Sequence, residues 1–445
     1  MRALFSLFSW RQYALSVFIL LLAVLDPFGL SSSSNDASAQ WLNRVFAGGY
    51  ERSGQEKIAV ILIDDAYLMR NNTYWPLPYG EQSKLFKRLL AYKPKAVFVD
   101  LLYSHDHSQG DPTQGSQLLA NVFERYRHQG IPLLLANTGK SRGEDGQANT
   151  LASLAETSSP VAVVWNGFGN KYPLAVDTSP GIMETPAFAL YREYCKGQDC
   201  ASLPEDKRST LEQPPIAIQW GLNLATEQAR VADVAHCSTS SGFVLSALEQ
   251  LSQAIFWKLG NPAQTLCPYS LTLSASDLEV STAEDRALLS ELLRDRLVLV
   301  GAHITSTGDL VQSPVHGKIP GVYLHAMALD NLITKGMHYD REPESLGFEI
   351  NSLDIIEIAL LALISILKAL HERNLALFRS PESRVQQSAF FKSPIPSWVL
   401  VMSLLAALSY GLHLRNITPV NVLAVLMISM VLFSEKLEAF FARKN

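Results

Sequence analysis

Apolar residues along the chain follow two kinds of pattern. Four long blocks are almost wholly apolar, whereas the segment between the first and second blocks alternates short apolar runs with amphipathic stretches. The blocks span residues 13–30, 353–370, 395–414 and 417–433. Because a helix needs roughly 20 apolar residues to cross a bilayer core, we predict four transmembrane helices. A cleaved signal peptide is the competing interpretation of the first block, but the cleavage-like site Ala37-Ser38-Ala39 lies well beyond it.

The distribution of basic residues predicts how these helices are oriented. Arg2 and Arg11 precede the first block, and lysine and arginine outnumber acidic residues in 371–394. Since cytoplasmic loops are enriched in lysine and arginine, residues 1–12, 371–394 and 434–445 are predicted to be cytoplasmic. Residues 31–350 then form an extracytoplasmic domain, in the periplasm or outside the cell, on a multi-pass protein of the inner (plasma) membrane.

The four cysteines all fall within this predicted exterior, at Cys195, Cys200, Cys237 and Cys267. An even number of cysteines in an oxidising compartment predicts two disulfides. Of the three pairings, we favour Cys195–Cys200 with Cys237–Cys267. A zinc site is the alternative, although the spacings match no common set of zinc ligands. We expect no bound metal and no cofactor.

Short apolar runs in the exterior segment predict strands that alternate with helices. Strands are expected at 57–63, 96–103, 131–137, 161–167 and 297–302, and helices at 83–93, 116–130 and 323–336. This alternation is typical of an α/β domain whose largely parallel sheet is flanked by helices. Residues 168–290 are less regular, with a strand expected at 214–221 and an edge strand within 271–282. Residues 31–56 are predicted to be a linker, with a short amphipathic helix at 40–48.

Polar residues follow several of the predicted strands. They are Asp64, Asp65, Asp100, His105, Asp106, His107 and the stretch GAHITSTGD at 301–309. In open α/β sheets, ligands bind beyond the C-terminal ends of the strands, so carboxylates there are candidates for a cation site or a catalytic base. The alternative is structural: Asp64 or Asp65 caps the next helix, and Asp100 accepts hydrogen bonds from loop amides. The sequence HDH at 105–107 is interpreted as a solvated turn.

The sequence favours no enzyme class. It lacks a GxSxG nucleophile elbow, a GxxxxGK[ST] phosphate loop and an HExxH zinc motif. The net charge of −5 gives no reason to expect a nucleic acid as partner. We therefore predict that the protein is not an enzyme. A metal-dependent hydrolase that uses Asp64, Asp65 and Asp100 is kept as an alternative.

The order of several of these segments resembles one known family. The segments are IAVILIDDAYL (58–68), WPLPYGEQSKLFKRLLAYKPKAVFVDLLY (75–103), LRDRLVLVGAHITSTGDL (293–310) and IPGVYLHAMALDNLI (319–333). They resemble the second type of CHASE domain, the cyclases/histidine kinases associated sensory extracellular domain. The resemblance covers about residues 45–337 and is strongest at the two ends of that span.

The resemblance implies an extracytoplasmic sensory domain with one membrane span before it and three after it. Recurring landmarks of the family fall on Asp64, Asp65, Trp75, Pro76, Asp100, Gly301, Asp309, Gly321 and His325. His303 and Thr305 are expected beside the aspartates at the mouth of the sheet. The resemblance assigns no catalytic role to Asp64 or Asp65.

One departure from the family shapes the expected function. Family members usually continue into a cyclase, histidine kinase or diguanylate cyclase domain, whereas only residues 434–445 follow the last apolar block here. We expect a stand-alone sensor or accessory subunit that binds a small ligand or an envelope protein. Its signal would leave through the membrane helices to a separate partner protein, and a homodimer is one expected assembly. The alternative is a structural protein of the envelope whose exterior domain is a binding platform.

Overall fold

The computed structural model describes most of the chain from residue 30 onwards. It describes residues 30–106, 114–142, 147–165, 171–235, 269–305, 308–343, 345–347, 350–378 and 395–418, together with isolated residues between 237 and 267 and at 422 and 425. Two compact units are present: Asn43–Tyr339 form one, and the chain on either side of that range forms the other. Residues 13–29 of the first apolar block and most of the block at 417–433 lie outside the described residues.

A six-stranded parallel sheet forms the centre of the Asn43–Tyr339 unit. The strands of the described chain are β1 (Ile58–Asp64), β2 (Ala96–Val99), β3 (Leu133–Asn137), β4 (Ser141–Arg142), β5 (Gln147–Ala148), β6 (Ser159–Ala162), β7 (Lys171–Tyr172), β8 (Ala175–Thr178), β9 (Gly181–Glu184), β10 (Ile216–Ala217), β11 (Leu271–Ser274), β12 (Leu297–His303), β13 (Leu310–Ser313), β14 (Gly317–Pro320), β15 (Ser345–Gly347) and β16 (Ile350–Asn351). Six of them form the sheet, in the order β11-β1-β12-β2-β3-β6. All five neighbouring pairs in this sheet are parallel. The predicted α/β fold with a largely parallel sheet is confirmed.

Helices connect the strands and cover both faces of the sheet. They are α1 (Leu30–Phe46), α2 (Asp65–Arg70), α3 (Tyr79–Leu90), α4 (Gly115–His128), α5 (Ala152–Ala155), α6 (Pro186–Cys195), α7 (Lys207–Leu211), α8 (Ala283–Leu293), α9 (Val322–Lys335), α10 (Ser352–Phe378) and α11 (Ile395–His413). The connections β1–β2, β2–β3 and β11–β12 progress in the same direction across the sheet. Right-handed crossovers therefore place α3, α4 and α8 on one face, and α6 and α9 cover the other.

The sheet is buried on both sides, and β1 illustrates why its sequence is apolar throughout. Ala59, Ile61 and Ile63 pack in the cluster that contains the side chains of α3, α4 and α8. The alternate residues Ile58, Val60 and Leu62 point to the other face of the sheet and pack in the cluster that contains the side chains of α6 and α9. Because successive side chains of a strand point to opposite faces, a strand covered on both faces needs apolar residues at nearly every position.

The predicted linker at 31–56 is wrong, because residues 31–46 lie in α1. Despite the serine run, the apolar residues Trp41, Leu42 and Val45 recur at helical spacing and are buried. Burial of an amphipathic face outweighs the modest helix propensity of serine. The expected short helix at 40–48 is the C-terminal part of this longer helix, followed by a 3₁₀ turn at Ala47–Gly49.

The last strand of the sheet in sequence occupies a central position, and this arrangement brings distant loops together. β12 lies between β1 and β2, and it pairs with β1 over the full strand, from Ile58↔Leu297 to Asp64↔His303. In a parallel sheet, the C-terminal ends of neighbouring strands lie at the same edge. The segments that follow β1, β12 and β2 are therefore adjacent at that edge.

Both predicted disulfides are present. Cys195 and Cys200 are bonded with their Cα atoms 5.6 Å apart, at the end of α6. Cys237 and Cys267 are bonded with a Cα–Cα distance of 5.4 Å across 30 residues of sequence. The zinc alternative is wrong, because a disulfide sulfur is not a thiolate ligand.

Two of the four apolar blocks coincide with helices in the other unit. The block at 353–370 lies within α10, and the block at 395–414 lies almost wholly within α11. The helix α10 continues to Phe378 and so includes the first residues of the predicted cytoplasmic loop. Within the residues that the structure describes, no helix combines the length and the apolar character that crossing a membrane requires.

Candidate functional site

Asp64 has a local structural role at the end of β1. Its backbone is extended, and its carboxylate Oδ1 accepts a hydrogen bond of 2.8 Å from the backbone N–H of Tyr67. This contact is an N-cap, which satisfies one of the free amides in the first turn of α2. The capping alternative is therefore confirmed for Asp64.

Asp65 joins the end of β1 to the loop after β12. Its Oδ2 accepts hydrogen bonds from the Thr305 backbone N–H, at 3.1 Å, and from the Thr305 hydroxyl. The bond from the Thr305 hydroxyl, then the bond from its amide, lowers the pKa of Asp65 below the ordinary value, and His303 adds to this effect. Asp65 thus remains ionised and fixes the position of Thr305.

Asp100 is the buried carboxylate of this edge. It directly follows β2, and its backbone N–H donates to the Val300 carbonyl of β12 at 2.8 Å. Its side chain is only 13% exposed, and its Oδ2 lies 4.0 Å from Nε2 of His325. Among the described residues, none donates a hydrogen bond to this carboxylate. Burial raises the pKa of Asp100 to about 7, and the neighbouring charge of Asp309 contributes.

His325 lies on α9 and faces Asp100 with its Nε2 atom. Its Nδ1 lies 2.7 Å from the Tyr172 hydroxyl, and that hydroxyl oxygen also accepts the Ala187 backbone N–H at 3.2 Å. Burial raises the pKa of Tyr172 above the ordinary range of a phenol, so the hydroxyl keeps its proton. Burial also lowers the pKa of His325 to about 3. The imidazole is therefore neutral, with Nδ1 hydrogen-bonded to the Tyr172 hydroxyl and Nε2 facing the Asp100 carboxylate.

Three aromatic rings enclose the imidazole of His325. The ring centroids of Phe98, Tyr172 and Trp165 lie 5.3, 5.6 and 6.2 Å from it, all with edge-to-face geometry. Tyr172 and Trp165 were not predicted from the sequence. Trp165 lies within the predicted strand 161–167, three residues beyond the end of the observed β6, and an aromatic side chain near a strand end is a candidate to line a ligand pocket. Nothing in the pattern around Tyr172 indicates its contact with a helix 150 residues later.

Asp309 and Gly321 meet where α9 begins. The Gly321 N–H donates to the Asp309 carbonyl at 3.2 Å, and a Cβ at Gly321 would lie 2.6 Å from Asp309 Oδ1. Any other residue at 321 would displace this carboxylate. Gly321 and His325 are four residues apart and share one face of α9. Asp309 lies close enough to Asp100 for its charge to raise the pKa of Asp100.

The other predicted residues have no contact with Asp100 or His325 among those the structure gives for the described chain. A Cβ at Gly301 would lie 2.6 Å from the Val322 side chain, so Gly301 permits close packing of α9 on β12. Trp75 is partly buried against the cluster of α3 and α4, and its peptide bond to the exposed Pro76 is cis. His303 is exposed at the end of β12.

The expected solvated turn at 105–107 is described as far as Asp106. The carbonyl of His105 accepts the Tyr79 hydroxyl at 2.6 Å, and Asp106 accepts the Ser116 hydroxyl at 3.1 Å. His107 lies outside the described residues. Across the described ranges, no group of three or more His, Cys, Asp or Glu side chains has the geometry of a metal site.

Exposed apolar side chains surround the same edge of the sheet. Tyr74 follows β1 and is 68% exposed, Leu102 follows β2 and is 50% exposed, and Val164 follows β6 and is 51% exposed. Leu310 follows β12 and is 46% exposed. Of these residues, Leu102 is the nearest in sequence to Asp100, two residues after it in the loop that follows β2.

A second buried carboxylate, Asp330, lies further along α9 and was not predicted. Its Oδ1 accepts hydrogen bonds from the Tyr50 hydroxyl at 2.8 Å and the Thr334 hydroxyl at 3.2 Å, whereas Oδ2 has no partner among the described residues. Burial raises the pKa of Asp330 to about 7. The sequence did hold a signal for this group: Asp330 is an acidic residue four positions after Ala326, on the apolar face of the predicted helix 323–336.

Comparison with known proteins gave one match. A family model described as CHASE2 domain matches residues 13–367 of the 445-residue chain. No curated protein and no solved structure matches the chain. The match covers the six-stranded sheet, the Asp100–His325 cluster and the two apolar blocks next to the domain. The chain therefore belongs to the CHASE2 family of extracellular sensory domains.

Proposed function

We propose that the protein is a membrane-anchored sensor, without enzymatic activity, that binds its ligand at the edge formed by Asp100, Asp309 and His325. The observation that carries this proposal is the Asp100 carboxylate: it is largely removed from water, and the nearest polar side-chain atom facing it is His325 Nε2, 4.0 Å away. A buried carboxylate without a close partner is costly, so such groups are concentrated at functional sites.

The helix α9 connects this edge to the rest of the domain. His325 lies in its second turn, whereas Asp330 and Thr334 lie near its C-terminal end and contact Tyr50 and Gly54. Residues 50–54 belong to the segment through which the chain enters the domain. A ligand that prefers one position of α9 would change the population of states at that segment as well. Such a shift is the means by which the sensor would signal to a separate partner protein.

Binding is tested by a thermal-shift screen of the full-length chain, purified in mild detergent, with small molecules found in the cell envelope. We expect a saturable rise in melting temperature that is lost in Asp100→Asn. The matched control is Asp177→Asn, which changes an exposed aspartate of β8. If every active compound affects wild type and Asp100→Asn equally, the site is not the one proposed.

Anchorage in the membrane is supported by the lengths of the four apolar blocks and by the basic residues around them. It is tested with reporter fusions at Lys140, which is exposed between β3 and β4. We expect alkaline phosphatase inserted there to be active and a fluorescent protein dependent on cytoplasmic folding to be dark. The opposite pair of results would show that this domain is cytoplasmic.

A binding platform for another envelope protein is the second candidate. The exposed apolar side chains Tyr74, Leu102, Val164 and Leu310 favour it, because exposed apolar surface marks interaction sites. Crosslinking in the envelope, followed by identification of the captured protein, distinguishes the two functions. A platform requires capture that is weakened by Leu102→Ser and unaffected by Asp100→Asn, whereas a sensor requires dependence on Asp100.

A further inference from the structure

A surface cavity of about 490 Å³ lies between α3, α8 and the segment that follows β11. Its walls include Arg88, Tyr92, Leu278, Glu279, Val280 and Arg286. The apolar members of this set pack with the cluster of α3, α4 and α8, whereas Phe98 and Tyr172, which contact His325, pack in the cluster on the other face of the sheet. The volume falls within the range, about 300–1,000 Å³, that small-molecule sites occupy. The cavity is therefore a candidate ligand site that shares no lining residue with the Asp100 edge.

One positive charge in this cavity is not balanced. Arg88 is paired, because its Nη1 lies 2.6 Å from Glu279 Oε1, and the two side chains are 35% and 15% exposed. For Arg286, the described residues supply no carboxylate within ion-pair distance. Burial raises the pKa of Tyr92, and the nearby charge of Arg286 opposes this rise. The lining thus has two arginines against one glutamate, with the unpaired guanidinium near an aromatic side chain.

A buried donor without an acceptor lies near the Arg88–Glu279 pair. Tyr67 is fully buried, and its hydroxyl has no hydrogen-bond partner in the part of the chain that the structure describes. Burial raises the pKa of Tyr67 to about 12, and the charges of Arg88 and Glu279 also act on it, so the hydroxyl keeps its proton at neutral pH. Donors therefore outnumber acceptors in and beside the cavity. Such surroundings suit a ligand that offers acceptor oxygens.

The walls favour an organic carboxylate over an inorganic anion. A guanidinium group matches the two oxygens of a carboxylate with parallel N–H···O bonds. Tyr92, Leu278 and Val280 add an aromatic ring and apolar side chains, which contact the carbon atoms of an organic ligand. Phosphate and sulfate have no carbon skeleton to bury there. A single unpaired positive charge also matches the single negative charge of a carboxylate.

We infer that this cavity binds a small organic carboxylate, with Arg286 as the partner of the carboxylate group and Tyr92, Leu278 and Val280 against its carbon skeleton. This site goes beyond the proposed sensory function, because its lining includes neither Asp100 nor any residue of α9. A neutral amide of the same shape fills the same space but leaves Arg286 without a negative partner, so it binds more weakly.

The experiment compares carboxylates with their amides. Full-length protein in mild detergent is titrated by calorimetry with sodium benzoate and sodium 3-phenylpropanoate, and in parallel with benzamide and 3-phenylpropanamide. We expect saturable binding of a carboxylate and none of its amide. Arg286→Gln should weaken carboxylate binding at least about tenfold, because an uncharged group replaces the guanidinium. The matched control is Arg208→Gln, which alters an exposed arginine of α7 and should bind the carboxylate as wild type does.

Salt and phosphate provide a second readout. Because the charge of Arg286 is at an exposed position, carboxylate binding should weaken as the sodium chloride concentration is raised. Sodium phosphate at the same ionic strength should weaken it no more than sodium chloride does. Uptake of the carboxylate by detergent micelles is the same for wild type and Arg286→Gln, so the difference between the two proteins measures binding in the cavity.

Three outcomes would overturn the inference. They are equal binding of carboxylate and amide, unchanged carboxylate affinity in Arg286→Gln, and displacement of the carboxylate by phosphate at a concentration where chloride has no effect. Arg286 is exposed, so the variant should unfold at the same denaturant midpoint as wild type, and a loss of binding then reports the site. None of these results depends on Asp100, whose role is decided separately by the thermal-shift screen.

Discussion

At the scale of single residues, the buried carboxyl groups of Asp100 and Asp330 make the stability of this domain depend on pH. Each has its pKa raised by burial from 3.8 to about 7. A group with a raised pKa in the folded state contributes stability that is complete below its unfolded pKa and is lost as the pH rises through the folded pKa. The folded domain should therefore be less stable at pH 8 than at pH 5 on account of these two groups.

Asp330→Asn tests this linkage away from the proposed ligand site. The amide keeps an oxygen for Tyr50 and Thr334 and removes the charge, so the variant should be more stable than wild type at pH 8, by at most about 4 kcal/mol. Its advantage should shrink toward pH 5. Denaturant unfolding of the full-length chain at both pH values measures this, with Asp177→Asn as the control. A constant difference between variant and wild type across that range would contradict the assignment.

The close approach of Gly54 to Asp330 predicts a second effect. A Cβ at Gly54 would lie 2.7 Å from the Asp330 Cγ, whereas one at Gly308 would meet nothing within 4 Å. Gly54→Ala should therefore cost about 1–3 kcal/mol of unfolding free energy through steric crowding, and Gly308→Ala should change it little. The denaturant midpoints of Gly54→Ala and Gly308→Ala, each compared with wild type, measure this difference. Equal midpoints would mean that the backbone at Gly54 moves aside without cost.

At the scale of elements, the short helix α2 depends on its cap. It has six residues, begins with Asp65, and contains the fully buried Tyr67. Asp64→Ala removes the acceptor for the Tyr67 N–H and should lower the unfolding free energy by about 1 kcal/mol. Asp64→Asn retains an acceptor of similar strength and should lose much less. A larger loss in Asn than in Ala would show that the charge of Asp64, and not its cap, is what matters.

The two disulfides should differ in their contribution to stability. Cys237–Cys267 closes 30 residues of sequence and Cys195–Cys200 closes five. Chain-entropy arguments give about 4 kcal/mol for the longer loop and about 2 kcal/mol for the shorter one. Double serine variants of each pair, compared by denaturant unfolding, should therefore show the greater loss for Cys237 and Cys267. The reverse order would mean that interactions in the folded state outweigh loop length.

The periodicity of apolar residues predicted most elements of the domain but not their partners. The strand expected at 297–302 is β12, and the helix expected at 323–336 is α9, each within one residue. The sequence does not show that β12 lies between β1 and β2, since sheet order depends on packing between distant segments. The same limit applies to the site. Asp100 at a strand end was predictable, whereas its pairing with His325 depends on where α9 packs.

At the scale of the whole molecule, the family relationship and the fold support each other. The CHASE2 match extends over residues 13–367, and the single sheet with its two covering layers accounts for the part of that match between Asn43 and Tyr339. The strongest resemblance lies in residues 58–103 and 293–333, which supply β1, β2, β12 and α9. Those four elements build the edge around Asp100. The middle of the chain supplies peripheral strands and the disulfides.

The central position of β12 also governs how the chain acquires its structure during synthesis. Until residue 303 has left the ribosome, β1 and β2 cannot complete their ladders, because the strand that belongs between them does not yet exist. Strands more than 200 residues apart in sequence pair slowly. Until they pair, the backbone N–H and C=O groups along the edges of β1 and β2 remain without partners. A nascent product ending at Arg296 should therefore remain protease-sensitive, whereas one extended to Tyr339 should resist digestion.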